Sequence, residues 1–89
     1  MKSLGTPQFW KAYRGLPAEI KSAARAAHKK FISQPSHPSL QLERLRCDPR
    51  FWSVRVTRDF RAVAKRNEGD LWVWIWIGSH QDFDRQFPD

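Results

Sequence analysis

The chain has 89 residues, 40% of them hydrophobic, and its 16 Lys and Arg against nine Asp and Glu give a formal net charge of +7. This length and composition fit one globular domain over residues 1–89 and exclude an intrinsically disordered chain. The single cysteine excludes an internal disulfide framework, and no apolar run reaches the ~18 residues of a membrane helix. We therefore expect a cytoplasmic protein whose basic surface favours polyanions, with nucleic acid as the first candidate partner. The alternative is a solvated basic surface without a specific partner.

Residues 7–33 have the pattern of a helical hairpin. Thr6 is suited to cap the first helix, and Pro7 to occupy its first position. A break at residues 15–17 leads to a second helix, which Pro35 is expected to end because the residue before a proline avoids helical geometry. The apolar positions of the second helix recur every 3.6 residues and form one stripe: Ile20, Ala23, Ala24, Ala27 and Phe31.

The rest of the chain has the pattern of a β-sheet. Strands are predicted over residues 40–46, 51–57, 60–66 and 71–77, and residues 1–4 are a candidate for a short edge strand. This order of elements predicts an α+β fold in which an N-terminal helical hairpin packs on one face of a twisted antiparallel β-sheet.

The register of the last three strands follows from matching apolar residues across neighbouring strands. A three-residue turn at residues 57–59 is expected to give the apolar pairs Val56–Phe60, Val54–Ala62 and Trp52–Ala64. A connection over residues 67–70 extends the same face with the pairs Ala64–Val73, Ala62–Ile75 and Phe60–Ile77. The predicted core between helices and sheet consists of Val54, Val56, Phe60, Ala62, Ile75, Ile77, Ile20, Ala24, Ala27 and Phe31.

The opposite face of the sheet is the predicted functional surface. Because side chains alternate between faces, it is expected to show Ser53, Arg55, Arg61, Val63, Lys65, Trp72, Trp74 and Trp76. Arg55 lies opposite Arg61 in this register, which costs roughly 0.2–1 kcal/mol between like charges unless an anion binds. A phosphate gripped by both guanidinium groups would reverse that cost. The alternative for this pair is a solvated or carboxylate-paired face.

Three tryptophans and one histidine are expected near the Arg55–Arg61 pair. The three tryptophans are candidates for stacking RNA bases, at about 1–3 kcal/mol per base, although a terminal tail or a protein partner could cover them instead. His80 follows the last strand, close to the row of Arg61 and Trp76, and imidazole is the usual group for proton transfer near neutral pH. Ser79 and Asp82 have the spacing of a helix cap, so His80 could also be structural. The sequence indicates no general base.

Four segments carry a further signal and span nearly the whole chain: LPAEIKSAARAAHKKF, HPSL, FWSVRVTRDFRAVA and WVWIWIGSHQDFD. Together they resemble the RelE/ParE superfamily of bacterial toxins, which implies the RelE-like fold. Members of its RelE/YoeB branch cleave mRNA in the ribosomal A site, without a metal, and are neutralised by an antitoxin. The resemblance therefore implies a metal-independent, cofactor-free endoribonuclease that is the toxin of a type II toxin–antitoxin pair. Its implied partners are a cognate antitoxin, mRNA and the ribosome.

The resemblance also implies roles for individual residues. Arg61 matches the arginine that holds the scissile phosphate, Arg55 matches a basic strand position, and His80 matches a histidine that acts as acid or base. Phe83 departs from the pattern, because several relatives have a tyrosine near this position and phenylalanine has no proton to give. The candidate RNA-binding residues are Lys65, Trp72, Trp74, Trp76, Arg44 and Arg46.

Two alternatives stay open at this point. The ParE branch shares the fold but poisons DNA gyrase and lacks the nuclease residues, and fold alone does not choose between the branches. A catalytically decayed relative that still binds RNA or antitoxin is the second alternative, and Phe83 favours it.

Overall fold

The structure, a computed structural model, describes residues 1–88. Its elements are β1 (Lys2–Gly5), α1 (Pro7–Arg14), α2 (Ala18–Ser33), β2 (Glu43–Arg44), β3 (Phe51–Thr57), β4 (Phe60–Asn67), β5 (Leu71–Ser79) and α3 (His80–Gln86), with 3-10 turns at Pro38–Leu40 and Glu68–Asp70. The strands form one sheet in the order β1-β5-β4-β3-β2, and α1 and α2 pack against it. None of the helices within residues 1–88 is long and apolar enough to cross a membrane.

The predicted α+β fold and its helical hairpin are confirmed. The Thr6 side chain accepts a hydrogen bond from the backbone N–H of Phe9 at 3.2 Å and donates one to the carbonyl oxygen of Trp74 at 3.1 Å. It thereby caps α1 and ties it to β5. α2 ends at Ser33, shortly before Pro35, as proline geometry favours. β1 confirms the predicted edge strand, but it runs parallel to β5, so the sheet is mixed rather than wholly antiparallel.

Residues 40–46 do not form the predicted strand. The backbone turns before this segment, because Nδ1 of His37 accepts a hydrogen bond from the backbone N–H of Ser39 at 3.1 Å. Gln41 then takes a left-handed conformation, with φ at 46°. Only Glu43 and Arg44 pair with β3. The HPSL segment therefore turns the chain instead of extending it.

The register of β3 against β4 agrees with the prediction over most of its length. The observed pairs include Trp52–Ala64, Val54–Ala62 and Arg55–Arg61. The predicted pair Val56–Phe60 is wrong, because a β-bulge after Arg55 places Thr57 opposite Phe60.

The register of β4 against β5 differs from the prediction. The observed pairs are Ala64–Trp74, Ala62–Ile77 and Phe60–Ser79, in place of Ala64–Val73, Ala62–Ile75 and Phe60–Ile77. The turn Glu68–Asp70 is shorter than expected, so β5 enters the sheet shifted by one residue. A one-residue shift exchanges the faces of a strand, and Trp72 and Trp74 therefore point to the helices. A bulge at Ile75 shifts the register once more, which keeps Trp76 on the opposite face.

The core lies between the helices and this side of the sheet. Phe31 of α2 is fully buried, and its ring meets Trp72 and Trp74 edge-on at centroid distances of 5.0 and 5.3 Å. The buried cluster consists of Phe9, Phe31, Leu40, Val54, Ala62, Ala64, Trp72, Trp74 and Ile77, with Ala24, Ala27 and Val56 among the residues packed against it. The core prediction is wrong for Ile20, Phe60 and Ile75, which are only partly buried and lie outside this cluster.

Candidate active site

The outer face of the sheet, opposite α1 and α2, carries the candidate site. Its members are Phe51, Ser53, Arg55, Arg61, Val63, Lys65, Val73, Trp76 and Gly78. α3 and Phe87, the residue that follows it, pack over part of this face. The Trp76 ring meets the Phe87 ring edge-on at a centroid distance of 5.5 Å and lies 6.1 Å from the Phe83 ring. The arginine pair lies beside this aromatic cluster.

The start of α3 fixes the position of His80. Ser79 caps the helix, because its hydroxyl accepts a hydrogen bond from the backbone N–H of Asp82 at 3.1 Å. The backbone N–H of His80 donates to the carbonyl oxygen of Asp59 at 2.7 Å and so anchors the helix to the β3–β4 turn. The first residue of α3 is thus held at the same end of the sheet as Arg61.

Arg61 and His80 are in direct contact. Nε of Arg61 donates a hydrogen bond to Nδ1 of His80 at 3.1 Å. Because Nδ1 accepts this bond, the neutral ring carries its proton on Nε2. Nε2 lies 3.6 Å from Oδ2 of Asp84, one turn further along α3. The His80 side chain is 45% exposed, so a substrate can reach the ring.

The Arg61 guanidinium has three further neighbours. It donates to Oε1 of Gln41 at 3.4 Å, and its Cζ lies 5.5 Å from the ring centroid of Phe83. Phe83 also stacks on the His80 ring, at 6.2 Å with 25° between the planes. Arg55 stands opposite, and neither arginine belongs to an ion pair within residues 1–88. This cluster can bind a phosphate between the guanidinium groups of Arg55 and Arg61, beside the His80 imidazole, which can transfer protons.

The sequence reasoning missed Gln41 and Asp84 as neighbours in this cluster. Asp84 could have been found, because residues four apart on a helix are neighbours and His80 begins α3. Gln41 had no such signal, since it reaches Arg61 only through the left-handed turn that replaces the predicted strand. Within residues 1–88, no group of three His, Cys, Asp or Glu side chains is arranged to hold a metal ion.

Trp72 and Trp74 are not available for the base stacking predicted for them. They are 3% and 7% exposed and lie in the core on the helix side of the sheet. Their indole N–H groups donate to Asp70 and Ser3, so the polar atom of each ring is satisfied within the fold. Of the three predicted tryptophans, Trp76 alone lies on the outer face, where Phe83 of α3 and Phe87, the residue after α3, pack on it.

The other candidate RNA-binding residues lie away from this cluster. Lys65 is on the outer face, but four residues along β4 and therefore roughly 13 Å from Arg61. Arg44 is on the helix side, with its Cζ 5.6 Å from the ring centroid of Trp52. Arg46 is exposed in the loop after β2. The structure brings none of these three residues to the Arg61 cluster.

Lys65 has a carboxylate nearby. The pKa of Asp48 is lowered to about 2, chiefly by the side-chain hydrogen bond from Arg50. Attraction to the charge of Lys65 lowers this pKa by a smaller amount. Asp48 precedes β3, and so this carboxylate lies at the opposite end of the β3–β4 pair from the Thr57–Phe60 turn.

Gly78 leaves room for the Trp76 ring beside Arg61. Gly78 pairs with Arg61, and a Cβ added to it would lie only 2.8 Å from Cζ2 of Trp76. We expect Gly78→Ala to push the indole off the sheet and to lower the free energy of unfolding by about 1–3 kcal/mol, measured by urea denaturation. Gly15→Ala is the control, because its Cβ would meet only the Ala12 carbonyl oxygen, at 3.6 Å. Equal stabilities of the two variants would contradict this packing.

A family model described as the ParE-like toxin domain matches residues 18–85, from the start of α2 into α3. The chain belongs to the ParE-like toxin family. The matched segment contains Arg55, Arg61 and His80, and the predicted membership of the RelE/ParE superfamily is thereby confirmed. No curated protein sequence matches this ParE-like chain.

Solved structures share the fold of this ParE-like chain. A chain of the RelB–RelE antitoxin–toxin complex from Methanococcus jannaschii has a TM-score of 0.75 at 15% identity, covering 96% of this chain and 99% of that one. The YoeB/ParE toxin from Agrobacterium tumefaciens has a TM-score of 0.71 at 22% identity, and the match covers 90% of this chain and 99% of that one. The isolated RelE toxin of E. coli has a TM-score of 0.70 at 15% identity, and the match covers 88% of this chain and 82% of that one. At these identities the likeness establishes the RelE-like fold.

Proposed function

We propose that this ParE-like chain is the toxin of a type II toxin–antitoxin pair and cleaves mRNA on the ribosome without a metal. The observation that carries the proposal is the contact of Arg61 Nε with His80 Nδ1 at 3.1 Å. With Arg55 opposite Arg61, the cluster offers charge stabilisation and proton transfer. These are two contributions that favour phosphodiester cleavage by the neighbouring 2′-hydroxyl.

Arg61 changes partners when RNA binds. A hydrogen bond from a guanidinium to a phosphate oxygen joins two ionised groups and is stronger than one to a neutral imidazole nitrogen. A phosphate between Arg55 and Arg61 therefore takes the guanidinium from His80. As the 2′ oxygen attacks phosphorus, negative charge develops on the phosphoryl oxygens, and the two guanidinium groups stabilise it. The Phe83 ring, 5.5 Å from Cζ, supports the Arg61 guanidinium from one side.

His80 delivers the proton that the leaving group needs. Once Arg61 has turned to the phosphate, Nδ1 takes up a proton from water, and the resulting imidazolium keeps its Nε2–H toward Asp84, at 3.6 Å. The O2′–P bond forms, the P–O5′ bond breaks, and the Nδ1 proton passes to O5′. The proton of the 2′-hydroxyl passes to water. The products are a 2′,3′-cyclic phosphate and a 5′-hydroxyl.

The proposed protein partner is an acidic antitoxin. Structures of this fold include the RelB–RelE complex of M. jannaschii and the DinJ–YafQ complex of E. coli. An acidic segment over Arg55 and Arg61 would compensate two cations that have no ion pair within residues 1–88, and it would also block the site. Trp72 and Trp74 take no part in such a contact, because both lie in the core.

Two other functions have an observation in their favour. The match to a ParE-like family model favours a toxin directed at DNA gyrase. Phe83 favours a decayed toxin, because it places a ring without a hydroxyl against Arg61 and His80.

Primer extension on translated mRNA, run beside a gyrase supercoiling assay, separates these functions. Cleavage by the unmodified protein supports the proposal. An uncut message together with blocked supercoiling supports the gyrase-directed toxin. If only the Phe83→Tyr variant cleaves mRNA, the chain is a catalytically decayed toxin, because that change adds a hydroxyl group beside His80.

A further inference from the structure

A second basic groove runs along the edge of the sheet. It lies between α2, the 3-10 turn Pro38–Leu40 and the end of β3, with a volume of about 440 Å³. Its polar lining consists of Lys30, Arg55, Arg58, Ser39 and Thr57, and alanine side chains of α2 form an apolar wall. No carboxylate within residues 1–88 lines this groove.

Three cations share the groove. None of Lys30, Arg55 and Arg58 belongs to an ion pair within the described part of the chain. Nζ of Lys30 donates to Oγ of Ser39 at 3.3 Å, and Oγ of Ser39 lies 2.8 Å from Nδ1 of His37. The turn thus holds the lysine beside the groove. Like charges gathered in this way repel each other, and a bound anion relieves the repulsion.

The groove is continuous with the candidate active site through Arg55. Arg55 lines the groove and also stands opposite Arg61, one strand spacing of about 4.8 Å away. β2 pairs only with Trp52 and Ser53, so no strand within residues 1–88 covers the edge of β3 from Arg55 onward. An RNA strand that passes from Arg61 on β4 over Arg55 on β3 therefore reaches the groove without crossing a further β-strand.

We propose that this groove binds a backbone phosphate of the RNA that flanks the scissile one, with Lys30 and Arg58 as its main ligands. The inference rests on the proposed nuclease function and adds a second phosphate subsite to it. Aromatic and amide side chains are absent from the lining within residues 1–88, so the groove positions the strand without reading its bases. An acidic segment of a protein partner is the competing occupant, and continuity with Arg61 favours RNA.

Charge reversal at Lys30 and Arg58 tests the groove. Both side chains are exposed, so Lys30→Glu and Arg58→Glu should fold, which thermal unfolding checks. Lys29→Glu is the matched control, because it makes the same charge change on α2 at a residue that does not line the groove. Binding is measured on the purified full chain with a short fluorescent single-stranded RNA carrying 2′-O-methyl groups, which prevent attack by the 2′ oxygen.

We expect each groove variant to weaken binding about fivefold or more at about 0.1 M salt. The log–log salt slope should fall by about 0.7, which is the contribution of one phosphate contact on a single strand. Lys29→Glu should have a smaller effect on both quantities. Equal weakening by all three variants, or no binding by the unmodified protein at low salt, overturns the proposal. Unchanged RNA binding with a weakened antitoxin complex also overturns it and assigns the groove to an acidic protein segment.

The experiment separates this inference from the proposed function, because the RNA probe is not cleaved. If the groove variants bind RNA normally while the unmodified protein cuts mRNA, the groove proposal fails and the nuclease stands. If the unmodified protein leaves mRNA uncut but the groove variants lose RNA binding, the phosphate subsite stands and the nuclease fails.

Discussion

Arg61→Ala is expected to lower the rate of mRNA cleavage on ribosomes by about 10²–10³, the usual effect of removing one donor to a developing negative charge. Arg61 lies on the outer face of β4 and is only partly buried, so its loss opens no cavity in the core. Its loss also removes the hydrogen bond to Nδ1 of His80. Arg61→Lys keeps the charge without the fork of N–H groups and should show an intermediate rate.

His80→Ala is expected to lower the same rate by about 10²–10⁴, because it removes the proton donor. The Ser79 cap and the backbone bond to Asp59 do not involve the imidazole, so α3 should stay in place. His28→Ala is the control, since His28 lies on α2 and its Nε2 contacts Oγ of Ser3. Single-turnover primer extension measures the rates, and thermal unfolding checks the fold.

The double variant tests whether the two side chains act as one unit. If Arg61 and His80 share the phosphate, Arg61→Ala combined with His80→Ala should cost less than the product of the single effects. Cleavage that survives His80→Ala, or toxicity that depends on blocked supercoiling instead, would contradict the proposed mechanism.

Trp72→Ala is expected to lower the free energy of unfolding by about 3–5 kcal/mol, the usual cost of emptying an aromatic position in a core. Trp72 is 3% exposed, and its ring meets Phe31 at 5.0 Å and Trp52 at 5.8 Å. At roughly 0.05–0.15 kcal/mol per residue, a domain of this length has only a few to about a dozen kcal/mol in total. The variant should therefore be close to unfolding at ambient temperature, as urea denaturation would show.

Trp10→Ala is the matched control for this substitution. Trp10 is 45% exposed, so the same change should cost less. The comparison also tests the register of β5 directly. If Trp72 faced RNA, as apolar matching alone predicts, its replacement would weaken RNA binding and leave the urea midpoint almost unchanged. That result would contradict the observed burial.

The sequence by itself determined the fold class, the helical hairpin and the opposition of Arg55 and Arg61. The helices follow from local signals: the Thr6 cap, the proline at the start of α1 and the apolar stripe of α2. The arginine pair follows from the short turn between β3 and β4, which leaves few registers, and only the observed one matches apolar residues over most of the pair. Motifs along the chain also indicated the RelE/ParE superfamily, which the family match confirms.

The tertiary structure alone decided the face that each tryptophan of β5 occupies. The segment Leu71–Ile77 is apolar at every position, so alternation cannot distinguish its two faces. The short turn Glu68–Asp70 places Trp72 and Trp74 in the core, and the bulge at Ile75 keeps Trp76 on the outer face.

The contact of Arg61 with His80 also needed the tertiary structure. It depends on α3 folding back onto the β3–β4 turn, where the backbone N–H of His80 finds the carbonyl oxygen of Asp59. Gln41 reaches Arg61 through a left-handed residue that no periodicity signals. Local patterns set which elements form, but these contacts join residues 19 and 20 positions apart in the chain. Only the packing of the whole sheet brings such residues together.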